Sequence, residues 1–211
     1  CWGSAPPPRA VPPWPAADSC CAPTGAVLGL LRTIEAMASL WGSELQTARR
    51  AGLEALSLLP VGSRRWFQAM LAMWMTTTYL GEAELFRSLR EQVRSVVPAP
   101  DAVRAYIESV SFLIVMSSLV GDGDESRFFL ANLERETAPY IDEDLAVRGW
   151  VRYAQGVYCH WIEGNLWRKA LLSQESLLAA EGIGDRRLRC LALTSRGLAE
   201  QGLGLFADRK S

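Results

Sequence analysis

Helix-breaking signals recur along this chain at a nearly constant interval, and that interval limits the folds open to it. Five stretches resemble one another: SLWGSEL at 39–45, YLGEAEL at 79–85, SLVGDGDES at 118–126, WIEGNLW at 161–167 and QGLGLFAD at 201–208. Each sets apolar helical residues before a glycine and restarts a helical pattern after it. The glycines Gly42, Gly81, Gly121, Gly164 and Gly204 are spaced 39, 40, 43 and 40 residues apart. A second series of stops, Pro60, Pro98, Pro139 and Gly182, is spaced 38, 41 and 43, about 18 residues out of phase with the first. Glycine ends a helix by taking the left-handed conformation cheaply, and proline ends one by excluding the helical region before it. Two interleaved series at a period near 40 predict a helix–turn–helix repeat.

The residues between the breaks support helix throughout. Apolar residues recur at three and four, not two: Trp66, Ala69, Met70, Met73 and Thr77; Val103, Tyr106, Val110, Leu113 and Ile114; Leu145, Val151, Ala154, Tyr158 and Trp161. The predicted helices are 24–41, 43–58, 63–80, 83–96, 101–120, 124–137, 142–163, 165–181 and 185–203. The expected fold class is therefore all-α, with antiparallel helix pairs over 24–211, about four and a half of them. Residues 1–23 hold 7 of the 11 prolines and read as an extended, disordered linker. The chain opens on Cys1 and stops at FADRKS, so we expect a fragment of a longer protein, with a lipidated Cys1 as the alternative.

Composition excludes several classes. Apolar residues make up 49% of the chain, too many for disorder, and the formal net charge is −1. No global field draws nucleic acid or an anionic membrane, so neither is expected as a partner. The longest charge-free run after the N-terminal region, Trp66–Gly81, carries Gln68 and three threonines and is 16 residues long, short of the roughly 20 a spanning helix needs. The five cysteines show no CxxC spacing and read as reduced, buried thiols of a cytoplasmic protein.

The acids of VGDGDES invite a calcium reading, which the spacing refuses. Counting from Asp122, the third position is Asp124, but the fifth is Ser126, the sixth Arg127 and the twelfth Leu133; a calcium loop needs an oxygen ligand at five, glycine at six and glutamate at twelve. Asp124 is expected to cap the next helix instead. His160, the sole histidine, follows Cys159, but adjacent helical residues point about 100° apart. No phosphate loop, zinc pair, nucleophile elbow or kinase catalytic motif occurs. Neither catalytic residues nor cofactors are therefore expected, although a helical enzyme centred on His160 stays open. Asp142, Glu143 and Asp144 complement a helix N-terminus, and Arg186, Arg187 and Arg189 read as a solvated helix start behind Asp185. Of the eight tryptophans, Trp66, Trp150 and Trp161 are expected between helices, while Trp74 and Trp167 are candidates to anchor a partner.

The segment EGNLWRKALLSQESLLAAEGIGDRRLRCLALTSRGLAEQGLG resembles tetratricopeptide-like arrays. The units around RRAGLEALSLLPVGSRRWFQAMLAMWMTTTYLGEAELFRSL are similar to the C-terminal helical repeats of large bacterial Ser/Thr protein kinases, which follow a kinase domain and an ATPase-like region. The likeness covers roughly 40–204, with a period near 40 where standard tetratricopeptide repeats have 34. The resemblance implies a superhelix whose first helices line a concave groove for a protein or peptide. Arg65, Arg104, Glu108, Arg148, Arg152 and Gln155 are the polar residues placed by helical phase to face it. The implied function is a regulatory interaction module; a ligand-sensing arm of a transcriptional regulator is the alternative. Exposed ends also predict self-association.

Overall fold

The computed structural model describes residues 25–205. They form nine α-helices and one short 3-10 turn, with no strand among the described residues. The helices are α1 (Gly25–Trp41), α2 (Leu45–Leu58), α3 (Arg64–Leu80), α4 (Ala83–Arg94), α5 (Val103–Leu119), α6 (Gly123–Thr137), α7 (Leu145–Trp161), α8 (Leu166–Ile183) and α9 (Arg186–Gly202), with the 3-10 turn Pro100–Ala102 leading into α5. The all-α class is as expected. The proline-rich stretch 1–23, with Cys1, Cys20 and Cys21, lies outside the described residues.

Polar residues fix where the helices start. Ser63, Asp122, Asp144, Asn165 and Asp185 each accept a hydrogen bond from a backbone N–H of the first turn behind them, a contact worth about 1 kcal/mol per helix. The cap of α6 corrects one expectation: it is Asp122, not Asp124. Asp122 also takes Arg90 Nη1 of α4 at 2.5 Å, while Asp124 is exposed and pairs with Arg127 of its own helix. The acids of VGDGDES therefore tie α6 to α4, with Glu125 holding Arg94 at 2.5 Å. Two breaks shift as well. At the turn after α1, Ser43 rather than Gly42 takes the positive φ, 63°. Helix α8 runs through Gly182 and ends at Gly184, φ 69°. Gly182 is helical, so its sequence signal marks the neighbourhood of the stop and not the stop itself.

The packing order is regular. Helix α1 lies on α3, α3 on α5, α5 on α7 and α7 on α9. Helices α2, α4, α6 and α8 pack beside α1, α3, α5 and α7 respectively. Helices α3, α5 and α7 thus have neighbours on several sides, and most of their side chains are buried. Trp66, Phe67, Met70, Trp74, Phe112, Leu113 and Ile114 anchor this core, each stabilising by about 1.5–3 kcal/mol relative to exposure. Small hydroxyls allow close helix contacts: Ser111 Oγ donates to Trp150 O (3.3 Å), Ser176 Oγ to Gly149 O (2.9 Å), and Trp74 Nε1 donates to Ser109 Oγ (3.1 Å). A Cβ on Gly149 would lie 2.7 Å from Leu188 Cδ2 and 3.3 Å from Ala179 Cβ, so α7 meets α8 and α9 closely there and a side chain would force Leu188 to shift. Pro100–Leu119 is long and apolar enough to cross a bilayer by composition, but most of it is buried in the protein.

The tryptophans divide differently from expectation. Trp66 and Trp150 are buried as expected, but Trp161, the last residue of α7, is 52% exposed. Trp74 is fully buried and anchors no partner, whereas Trp167 is 64% exposed. Val103 and Leu145, at the starts of their helices, are exposed as well. Cys159 is buried, and Cys190 is exposed on α9.

Candidate groove site

The face formed by α1, α3, α5, α7 and the start of α9 carries two adjoining clefts. The first, about 410 Å³, lies between α1 and α9: Thr33, Ile34, Met37, Ala38 and Trp41 form one wall, and Arg65, Gln68, Glu108 and Arg187 the other. The second, about 630 Å³, continues toward α7, past Arg64, Asp101, Arg104, Trp150 and Asp185. Gln68 and Glu108 line both, so the two are halves of one groove.

Sequence periodicity explains the apolar wall. Val27, Leu31, Ile34, Ala38 and Trp41 recur at four, three, four and three along α1, one helical face. They face outward because, among the described residues, α1 packs mainly on α2 and α3; Ile34 and Trp41 are each 56% exposed.

The opposite wall is charged. Arg187 Nη2 of α9 donates to Glu108 Oε1 of α5, and the Arg187 guanidinium lies 5.2 Å from the Trp150 ring of α7. One ion pair therefore joins α9 to α5 across α7. Burial pushes the Glu108 carboxyl above its ordinary range, and Arg187 partly offsets that rise. Arg65 is exposed, donates to the neutral amide oxygen of Gln68 (2.8 Å) and meets no carboxylate among the described residues.

The six residues placed in the groove by helical phase separate in space. Arg65, Arg104 and Glu108 line it; Arg104 is also paired with Asp144 at 2.9 Å. Arg148 turns back to cap the preceding loop, donating to the carbonyls of Ile141 (2.9 Å) and Asp142 (2.5 Å). Arg152 reaches Glu175 of α8 at 2.8 Å, and Gln155, buried, donates to Glu134 of α6 at 2.6 Å. Those two lie on the face of α7 that meets α6 and α8. Sequence reasoning missed Ile34, Met37 and Trp41, although their four–three spacing was readable. It took Arg187 as solvated, because its partner is 79 residues away.

Around His160 the geometry offers less. Its ring meets Trp161 edge-on at 4.7 Å, and its Nδ1 is buried without a hydrogen-bond partner among the described residues. Burial, and then the nearby Lys169 charge, hold its pKa below the ordinary value. Cys159 is pushed up to about 12, burial first, with Glu163 adding to the rise, the opposite of an activated thiol. Among the described residues no cluster of His, Cys, Asp and Glu could hold a metal ion. Comparison with family models, with curated proteins and with solved structures gives no match.

Proposed function

We propose that this chain is a protein-interaction module, a stack of antiparallel helix pairs of tetratricopeptide-like kind that holds a partner segment in the groove between α1 and α9. One observation carries the reading: an exposed row of large apolar side chains on α1, Ile34 and Trp41 among them, faces an arginine-bearing wall across a cleft. Exposed aromatic and arginine side chains in a concave site are the groups that dominate protein recognition. The unbroken packing of α1, α3, α5, α7 and α9 supports the stacked arrangement. His160 is not among the residues lining the groove, which favours binding over catalysis. The proposed setting is a larger cytoplasmic bacterial signalling protein such as a Ser/Thr kinase, for which the support is the sequence resemblance.

A photo-crosslinking residue at Met37, with one at the exposed Arg87 of α4 as control, tests the reading in cells. The expected result is a defined protein crosslinked from position 37 and lost when Trp41 is changed to alanine. Equal crosslinking from both positions would refute it.

A second reading, a ligand-sensing arm, draws on a different cleft. About 580 Å³ of space lies between the α4–α5 and α6–α7 connections, lined by Val97, Pro98, Tyr106 and Tyr140. A small apolar ligand there would raise the melting temperature of the wild type and not of Tyr106→Ser.

A further inference from the structure

We propose that the α1 half of the groove takes an acidic, apolar segment of a partner protein, and that Glu108 stands in for that segment's carboxylate until it binds. The inference rests on the groove being the partner site and adds the chemistry of the partner.

The argument begins with charge. Two guanidiniums, Arg65 and Arg187, and one carboxylate, Glu108, line this half of the groove. The α1 wall contributes Thr33, Ile34, Met37, Ala38 and Trp41, none of them charged. A basic segment would meet two like charges and would have to break the Glu108–Arg187 pair to find an anion. An acidic segment finds Arg65 at once, because among the described residues that guanidinium holds only the neutral Gln68 oxygen. Charge-assisted bonds of arginine to carboxylate are about twice as strong as neutral ones, and stronger where apolar walls exclude water. The uncharged wall sets the second requirement: aromatic or branched side chains beside the acids, to cover Ile34, Met37 and Trp41.

Glu108 gives the site its exchange step. Its carboxylate is partly buried and already holds the Arg187 guanidinium, so the protein has a carboxylate where a partner's would sit. Because Glu108 lines both halves of the groove, it has room on the α7 side when displaced. The exchange makes one arginine–carboxylate contact for each one broken, and Arg65 supplies the surplus. Removing the Glu108 charge should therefore strengthen binding, whereas a residue that only supported the groove would weaken it.

The test is a selection of random peptides of about twelve residues, displayed on phage, against the full chain. Alongside it run Arg65→Gln, Glu108→Gln and Trp41→Ala, each checked for native helicity by circular dichroism. The expected peptides carry Asp or Glu next to Trp, Phe or Leu. By fluorescence anisotropy they should bind Arg65→Gln about tenfold more weakly and Glu108→Gln severalfold more tightly. Enrichment of Lys or Arg, or affinities indifferent to both Arg65 and Glu108, would overturn the proposal. Neutral apolar peptides that depend on Trp41 would overturn the acidic preference and leave the groove standing. If no peptides are enriched beyond those recovered with Trp41→Ala, both fall.

Discussion

Helices α1 and α5 are each 17 residues long and strongly apolar, yet they end in opposite environments. Helix α5 lies among α3, α6 and α7, and the stretch from Ala105 to Ser118 is buried except for Glu108. Among the described residues helix α1 packs mainly on α2 and α3, so Val27, Leu31, Ile34 and Trp41 remain near half-exposed. Apolar composition thus does not decide burial; the number of neighbouring helices does. Helix α8 extends the contrast. It exposes Trp167, Leu171 and Leu178 while it buries Lys169, Ser173 and Ser176. The outer helices carry surface that the central ones would not tolerate, and binding can use it.

The largest test of this contrast is Phe112→Ala in α5. With Phe112 buried against Trp150 and Tyr153, we expect a loss of about 3–5 kcal/mol in urea unfolding. A loss under about 1 kcal/mol would mean that the centre is no better packed than the ends.

Lys169→Met probes the inverted helix α8 and should stabilise the protein. Lys169 is 2% exposed, and burial lowers its pKa to about 8 from 10.5. The folded state therefore holds that proton less tightly than the unfolded state, and below about pH 8 the charge costs about 3 kcal/mol. Between about pH 8 and 10.5 the unfolded chain binds more protons, so wild-type stability rises with pH across that window. The advantage of Lys169→Met should be full at pH 7 and shrink through the window; an advantage that is constant with pH would show that its charge is not what costs stability.

Trp74→Phe keeps the ring contact to Phe86 in α4 but removes the hydrogen bond from Nε1 to Ser109. The cost should be about 1–2 kcal/mol, because Ser109 is left buried with one partner fewer. Thermal unfolding measures it.

Ile34→Ala in α1 should shift stability least, by about 0.5 kcal/mol, and yet weaken capture of a partner in the groove. A large loss of stability would place α1 with the central helices and break the comparison. The same exposed rows are where self-association would occur, and sedimentation of the wild type beside Ile34→Ala reads that directly.

Much of the helical framework was legible because its signals are local. Period-three-and-four apolar rows together with the glycine and proline stops mark the nine helices of the described residues, and their predicted limits fall within about three residues of those found. The misassigned turns are also local in origin. Asp122 and Asp124, and Gly182 and Gly184, are near neighbours of the same type, while Ser43 takes the positive φ that its neighbour Gly42 would adopt more cheaply; only backbone geometry chooses between them. The groove was half legible. Arg65, Arg104 and Glu108 follow from helical phase, but phase also nominated Arg148, which turns back to the carbonyls of the preceding loop, and Arg152 and Gln155, which α8 and α6 draw to a different face.

The sequence by itself determined that the chain is helical and where its turns fall, because caps, breaks and apolar spacing act within a few residues. Tertiary structure alone decided which apolar row stays uncovered and which arginine meets which acid. Both depend on residues far apart in the chain. Arg187 and Glu108 meet because α9 packs on α7 and α7 on α5, and α1 keeps an open face because, among the described residues, it packs mainly on two helices.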